Sequence, residues 1–253
     1  MSEITTLDDL PGSPAGLLFS FPRYDEGVVE GRVSELRELG VEAVELGGRH
    51  LVSKVLVLGK GHVGIVVAAR MGGERVALKI RRLDADRPSL EGEASYLGVA
   101  NDAGVGPRLL ASSVNFLVME LVEGEYLVDW VAGLEASDAP GLRGVLRKAL
   151  EAARRLDVAG LDHGELSRAD RHLIMSGGVP RILDFESSSV IRRCRNVTSL
   201  AQFFFFNRGM AARIGVIITM PGRDELLEAL RGYRREPSDE SFRGLLVVCG
   251  LAE

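Results

Sequence analysis

Cysteine, lysine and long apolar runs are scarce in this sequence of 253 residues, and each scarcity excludes a class of protein. Two cysteines, Cys194 and Cys249, are too few for a disulfide framework or for a tetrahedral zinc site, which takes about four ligands. No apolar run approaches the roughly 20 residues that span a bilayer. The longest candidate, Phe203 to Phe206, reads as a buried helix segment. The N-terminal stretch holds Glu3, Asp8 and Asp9 but no lysine or arginine before Arg23, so the basic start of a secretory signal is missing. Together these readings predict a cytoplasmic protein. Excess positive charge is also absent: 31 basic against 36 acidic residues give a net charge of −5, which leaves no global field for counter-ion-driven binding of nucleic acid. Lysine occurs only at positions 54, 60, 79 and 148, and Gln202 is the single glutamine, so a lysine inside a motif stands out.

What remains is ordinary globular composition, 46% hydrophobic and 26% charged, at a length that predicts one or two domains. Residues 1–50 read as an accessory segment containing a helix over Val28–Leu39 and an alternating strand over Val41–Leu46. A meander follows: strand Lys54–Leu58, a glycine turn, strand Ile65–Arg70, a hairpin at Gly72-Gly73, and strand Arg75–Arg81. Pro88 and Ser89 introduce a helix from Leu90 to about Asn101. Its apolar face is Leu90, Ala94 and Leu97, with Glu93 at the edge of that face and Glu91 pointing away. Further on come strand Phe116–Val122, an amphipathic helix over Gly141–Leu156, and a second hairpin whose arms are His172–Met175 and Arg181–Phe185.

Three chemistry-bearing stretches fall on these elements. Gly59-Lys60-Gly61-His62-Val63-Gly64-Ile65-Val66 fits G-x-G-x-x-G-x-V. It lies between two strands rather than between a strand and a helix, the context of a phosphate-covering flap and not of a dinucleotide fingerprint. Val76-Ala77-Leu78-Lys79 ends the next strand, and Glu93, fourteen positions on, is the acid available to hold the Lys79 charge. Beyond the strand Phe116 to Val122, His163-Gly164-Glu165-Leu166 and Ile182-Leu183-Asp184-Phe185-Glu186 each deliver a carboxylate to a loop.

In that order, glycine loop, strand lysine, helix glutamate, hinge-like strand, H-x-acid loop and D-F triplet, the chain resembles the protein-kinase superfamily from about Leu56 to Ser188. The short H-G-acid-L form and the compact segment after Asp184 are most similar to the small atypical serine/threonine kinases of archaea, the RIO family and the kinase subunit of the KEOPS complex. The resemblance implies an α+β, two-lobed kinase-like fold. An antiparallel-sheet N-lobe with one main helix would span residues 51–122, and a compact, mostly helical C-lobe residues 123–253. It implies an ATP- and Mg²⁺-dependent phosphotransferase acting on a protein hydroxyl, by autophosphorylation in one version. The alternatives are a nucleotide-binding pseudokinase or ATPase scaffold, and a small-molecule phosphotransferase.

By resemblance, the backbone from Gly59 through Lys60, Gly61 and His62 to Gly64 covers the phosphates. Met119, Glu120 and Val122 border the adenine, Val66 and Ala77 belong to the same nucleotide-binding set, Lys79 pairs with Glu93, Glu165 takes or orients the hydroxyl proton, and Asp184 holds Mg²⁺. The second metal position falls on Asp170 when counted forward from Glu165 and on His172 when counted back from the strand. The oxygen preference of Mg²⁺ favours Asp170. Glu165 stands where the family has aspartate, and Glu186 stands where it has glycine. The arginines of Arg192-Arg193-Cys194-Arg195, with Arg231, Arg234 and Arg235, offer a patch for phosphate or for an RNA- or ribosome-associated partner.

Overall fold

The structure is a computed structural model describing residues 3–252. The fold is α+β, and the chain divides into two units. The first takes residues up to Gly98 together with Pro107–Leu121, and the second takes Val99–Gly106 together with everything from Val122 onward. Among the described residues no helix is long and apolar enough to cross a membrane.

Unit 1 begins with β1 (Glu3–Thr6), α1 (Gly16–Phe19), α2 (Glu26–Glu38) and β2 (Val41–Leu46). It continues through β3 (His50–Val52), β4 (Val55–Val57), β5 (Gly59–Lys60), β6 (Gly64–Met71) and β7 (Glu74–Arg81) to helix α3 (Glu91–Asp102), within which the unit boundary falls, and closes with β8 (Leu109–Ser112) and β9 (Phe116–Glu120). Seven strands form one antiparallel sheet in the order β1-β2-β6-β7-β9-β8, with β5 beside β6. Gly72 and Gly73, at φ +58° and +76°, supply the left-handed pair that a two-residue hairpin between right-twisted strands requires, and β6 and β7 pair over their whole length.

Strand alternation then sorts β7. Val76, Leu78 and Ile80 enter the core with Ile65, Val67, Phe116 and Val118, and with Leu18, Phe19, Val29, Val33 and Leu36 from the first fifty residues. Full burial of an aliphatic side chain of this size contributes about 1.5–3 kcal/mol, so α1 and α2 stabilise this face of the sheet as part of its core. Ala77 and Lys79 point to the opposite face. Arg32 of α2 is also buried, where its guanidinium donates to Phe19 O at 2.7 Å and Asn115 Oδ1 at 3.0 Å. Burial, and then the neighbouring Arg81, lower its pKa to about 10, so it stays charged at neutral pH.

Unit 2 is mostly helical. In chain order it has β10 (Glu125–Tyr126), α4 (Leu127–Ala132), α5 (Ala139–Val158), β11 (Leu173–Ser176), β12 (Val179–Ile182), α6 (Asn196–Phe206), α7 (Arg208–Ile217), α8 (Arg223–Arg235) and α9 (Asp239–Val248). The apolar stripe of α5, from Leu142 through Val145, Leu146, Ala149 and Ala153 to Leu156, is buried as its 3.6-residue spacing predicts. Phe203, Phe204 and Phe205 are likewise buried, within α6.

At the end of α5 a single carboxylate joins three helices. Asp157 Oδ1 accepts from Asn196 N at 2.9 Å and Asn196 Nδ2 at 2.8 Å, while Oδ2 accepts from Val197 N at 3.3 Å and Tyr233 Oη at 2.9 Å. The first amides of α6 have no intrahelical acceptor and Arg195 supplies no side-chain cap, so Asp157 caps α6 from another helix. Burial raises the Asp157 pKa, opposed by these hydrogen bonds.

Asp157→Ala is expected to cost about 2–4 kcal/mol, because it orphans these buried donors together. Urea denaturation checks this: a lower midpoint at unchanged slope is expected, and a loss below about 0.5 kcal/mol contradicts the capping role.

Candidate functional site

Each unit carries one cluster of the residues singled out by sequence. In unit 1 the glycine-rich segment is the β5–β6 hairpin. Gly59 pairs with Val66 and Lys60 with Ile65, and Gly61 N donates to Gly64 O at 2.8 Å to close the turn around exposed His62. Register puts Gly59, Val66, Ala77, Lys79 and Met119 on one face of the sheet, since Val66 lies opposite Lys79 and Ala77 opposite Met119. Lys60, opposite Ile65, points to the other face, with Nζ 4.7 Å from the centroid of Phe21. Glu120 ends β9 with Oε2 accepting from Arg108 N at 3.0 Å. Val122 lies beyond β9 and belongs to unit 2.

The Lys79 ammonium donates to Glu93 Oε1 at 2.8 Å, and the two side chains are 5% and 4% exposed. Desolvating two charges offsets most of their attraction, so such a pair is a weak net stabiliser, whereas removing one partner costs about 3–5 kcal/mol. Gly64 makes room for the pair: a Cβ there would lie 2.9 Å from Lys79 Cγ and 3.0 Å from Ile80 O. Sequence reading missed the fastening of the turn. Arg82 N donates to Val63 O at 2.9 Å and Arg82 Nη1 to Gly61 O at 2.8 Å, while the Arg82 guanidinium lies 5.1 Å from the Phe21 ring that also carries Lys60. No motif marks Phe21 or Arg82 for this role.

In unit 2 the H-G-E-L segment leads into a 3₁₀ stretch, Leu166–Arg171, kinked at Arg168. His163 is fully buried, with its amide on Asn196 Oδ1 at 2.8 Å and its ring Nε2 on Leu183 O at 3.0 Å. That contact makes Nε2 the protonated nitrogen. Nδ1 is buried without a hydrogen-bond partner. Burial, and then His172, lower the His163 pKa to about 4, so the ring is neutral at pH 7. Gly164 takes φ +92°, and a Cβ there would lie 2.6 Å from both Arg192 Nη2 and Ser187 O. Arg192 is held by Asp162 Oδ2 at 2.9 Å, and Asp162 exchanges both backbone hydrogen bonds with Ser189. Arg193 donates to Arg234 O. Two arginines of the basic run thus have acceptors within the fold.

The backbone bond from Leu183 N to His172 O and the His163 ring on Leu183 O set the loop after β12, where Asp184 takes φ +65°. Glu165, His172 and Asp184 each present one donor atom, all within 4.8 Å of one another. Glu165 Oε2 is 3.4 Å from His172 Nε2, and His172 Nδ1 is 4.0 Å from Asp184 Oδ2. Asp170 lies outside this group, with Oδ2 3.9 Å from Arg171 Nε. Two of the three donors suit Mg²⁺, which takes oxygen. The imidazole does not. Cys194 and Cys249 are free, and burial raises their pKa values to about 11 and about 12, which leaves both thiols unreactive at neutral pH.

No protein-family model and no curated protein matches this sequence.

Gly64→Ala is expected to cost about 1–3 kcal/mol by overpacking against the Lys79 stem. Gly59→Ala, whose Cβ would meet Val66 Cβ at 3.8 Å, is the comparison; equal losses in thermal denaturation contradict the packing role of Gly64. Because the folded pKa of His163 lies below its unfolded value of 6.5, its contribution is present above pH 6.5 and is lost as pH falls toward about 4. Between pH 7 and pH 5 the wild type is expected to lose about 2 kcal/mol more than His163→Gln, read from urea midpoints.

Proposed function

We propose that the chain is a small atypical protein kinase, transferring the γ-phosphoryl group of ATP to a serine or threonine hydroxyl. In this reading unit 1 is the kinase N-lobe and unit 2 the C-lobe. The observation that carries it is the Lys79–Glu93 pair, two residues fourteen positions apart meeting at 2.8 Å inside the unit that also holds the glycine hairpin. Gly59, Val66, Ala77, Lys79 and Met119 share one sheet face, as a nucleotide lying against that face requires.

Phosphoryl transfer needs positioning and charge neutralisation more than covalent help. Lys79, oriented by Glu93, meets the α- and β-phosphates, and the amides of the glycine hairpin cover them. The attacking hydroxyl oxygen forms the new O–P bond as the bond from the γ-phosphorus to the bridging oxygen breaks, ADP leaves with the electron pair, and Glu165 accepts the hydroxyl proton. Its side chain is 44% exposed, open enough for a hydroxyl substrate to approach. A divalent cation bound at Asp184 would neutralise charge on the phosphates.

The test is incubation with γ-labelled ATP and a divalent cation beside Asp184→Ala, chosen because the Asp184 side chain is 40% exposed. Label on protein, reduced about 100-fold or more in the variant, is expected. Bound nucleotide without transfer replaces the kinase by a nucleotide-binding scaffold, and label on a small hydroxyl compound alone replaces the protein substrate. No nucleotide binding rejects the reading.

A further inference from the structure

We infer that the cation centre of unit 2 selects a first-row transition ion over Mg²⁺, with His172 as the selecting ligand. The inference rests on reading Asp184 as a cation ligand but not on nucleotide binding.

The donor set is one imidazole nitrogen and two carboxylates, from Glu165, His172 and Asp184. Donors on one ion with bonds of about 2.1 Å lie at most about 4.2 Å apart. Gathering donors up to 4.8 Å apart onto one ion therefore requires side-chain rotation. Elements on both flanks hold the set in place. His172 N donates to Ala169 O at 3.1 Å, at the end of the 3₁₀ stretch that begins after Glu165, and Leu183 N donates to His172 O at 2.9 Å, immediately before Asp184.

A second observation points to a ligand. His172 Nδ1 is shut off from solvent with no hydrogen-bond partner, with Asp184 Oδ2 4.0 Å from it, while Nε2 on the other side of the ring is 3.4 Å from Glu165 Oε2. Buried polar atoms are ordinarily bonded, and an imidazole nitrogen facing a carboxylate beyond hydrogen-bond reach leaves room for an ion.

Mg²⁺ dehydrates reluctantly and takes oxygen, so an imidazole in its first sphere weakens the site for it. For ions that accept imidazole the same nitrogen strengthens binding, and affinity rises from Mn²⁺ through Fe²⁺ and Co²⁺. Mn²⁺ is the member of the series most like Mg²⁺ and the weakest binder. A preference for Mn²⁺ therefore implies a preference for the class. Glu165 and Asp184, at 44% and 40% exposure, leave the remaining coordination positions open to water or to phosphate oxygens.

The test uses the full chain without nucleotide. Mn²⁺ is titrated and the free aqua ion is followed by electron paramagnetic resonance, with Mg²⁺ as competitor. One Mn²⁺ per chain is expected, displaced by half only at a Mg²⁺ excess of about 100-fold. Spin-echo modulation of the bound ion is expected to show a directly coordinated ¹⁴N, a readout on the wild type that does not depend on any variant folding. His172→Asn is expected to lower the Mn²⁺-to-Mg²⁺ affinity ratio at least tenfold. Absence of ¹⁴N coupling, displacement by equimolar Mg²⁺, or a ratio unchanged in His172→Asn overturns the inference. So does a ratio that falls in Asp170→Asn instead. Each of these outcomes leaves nucleotide binding and label transfer to be judged on their own.

Discussion

The buried ion pair of Lys79 with Glu93, ammonium to carboxylate at 2.8 Å, links the sheet of unit 1 to α3, and much of the local sequence follows from it. β7 lies between β6 and β9, so both of its edges are hydrogen-bonded, and the alternation that sends Val76, Leu78 and Ile80 into the core sends Lys79 to α3. A side chain at position 64 would press on the lysine stem, its Cβ 2.9 Å from Lys79 Cγ. The glycine pattern and the buried charge are therefore one packing problem: the last glycine of the motif relieves a close contact with the lysine stem.

Unit 2 depends in the same way on buried polar groups that tie loops together. Asn196 links Asp157 at the end of α5 to the His163 amide, and the His163 ring holds the carbonyl just before Asp184. Carboxylates on two loops are thereby brought to one imidazole. A neutral, desolvated histidine suits this task better than a charged one, since its hydrogen bond to Leu183 O then carries no solvation cost for an ion.

Where structure is decided locally it was readable in the chain. The β6–β7 hairpin, α2, α5 and the β11–β12 hairpin fall within a few residues of their expected bounds, because glycine pairs and hydrophobic period are short-range signals. The β3–β4 hairpin gave no such signal, since its turn uses Ser53 and Lys54 at φ +46° and +76° rather than glycine. Counting forward from Glu165 reached Asp170 through a kinked 3₁₀ stretch of unforeseeable length, while counting back from β11 reached His172, which stands beside Asp184. The roles of Asn196, Asp162 and Arg192 come from contacts about thirty positions apart, which no local pattern encodes.

The way the first fifty residues join the sheet bears on where the protein can be cut. Two of the seven strands, the helices covering the core face, and the aromatic ring beneath Lys60 and Arg82 all precede position 50. A recombinant fragment begun at residue 51, where composition alone suggests a boundary, would expose the edge of β6 and the apolar side of β7 to solvent, and unpaired edges of that kind recruit other chains. Cut points, fusion junctions and affinity tags on this protein therefore belong outside that segment, and a fragment that keeps the sheet of unit 1 keeps the first fifty residues.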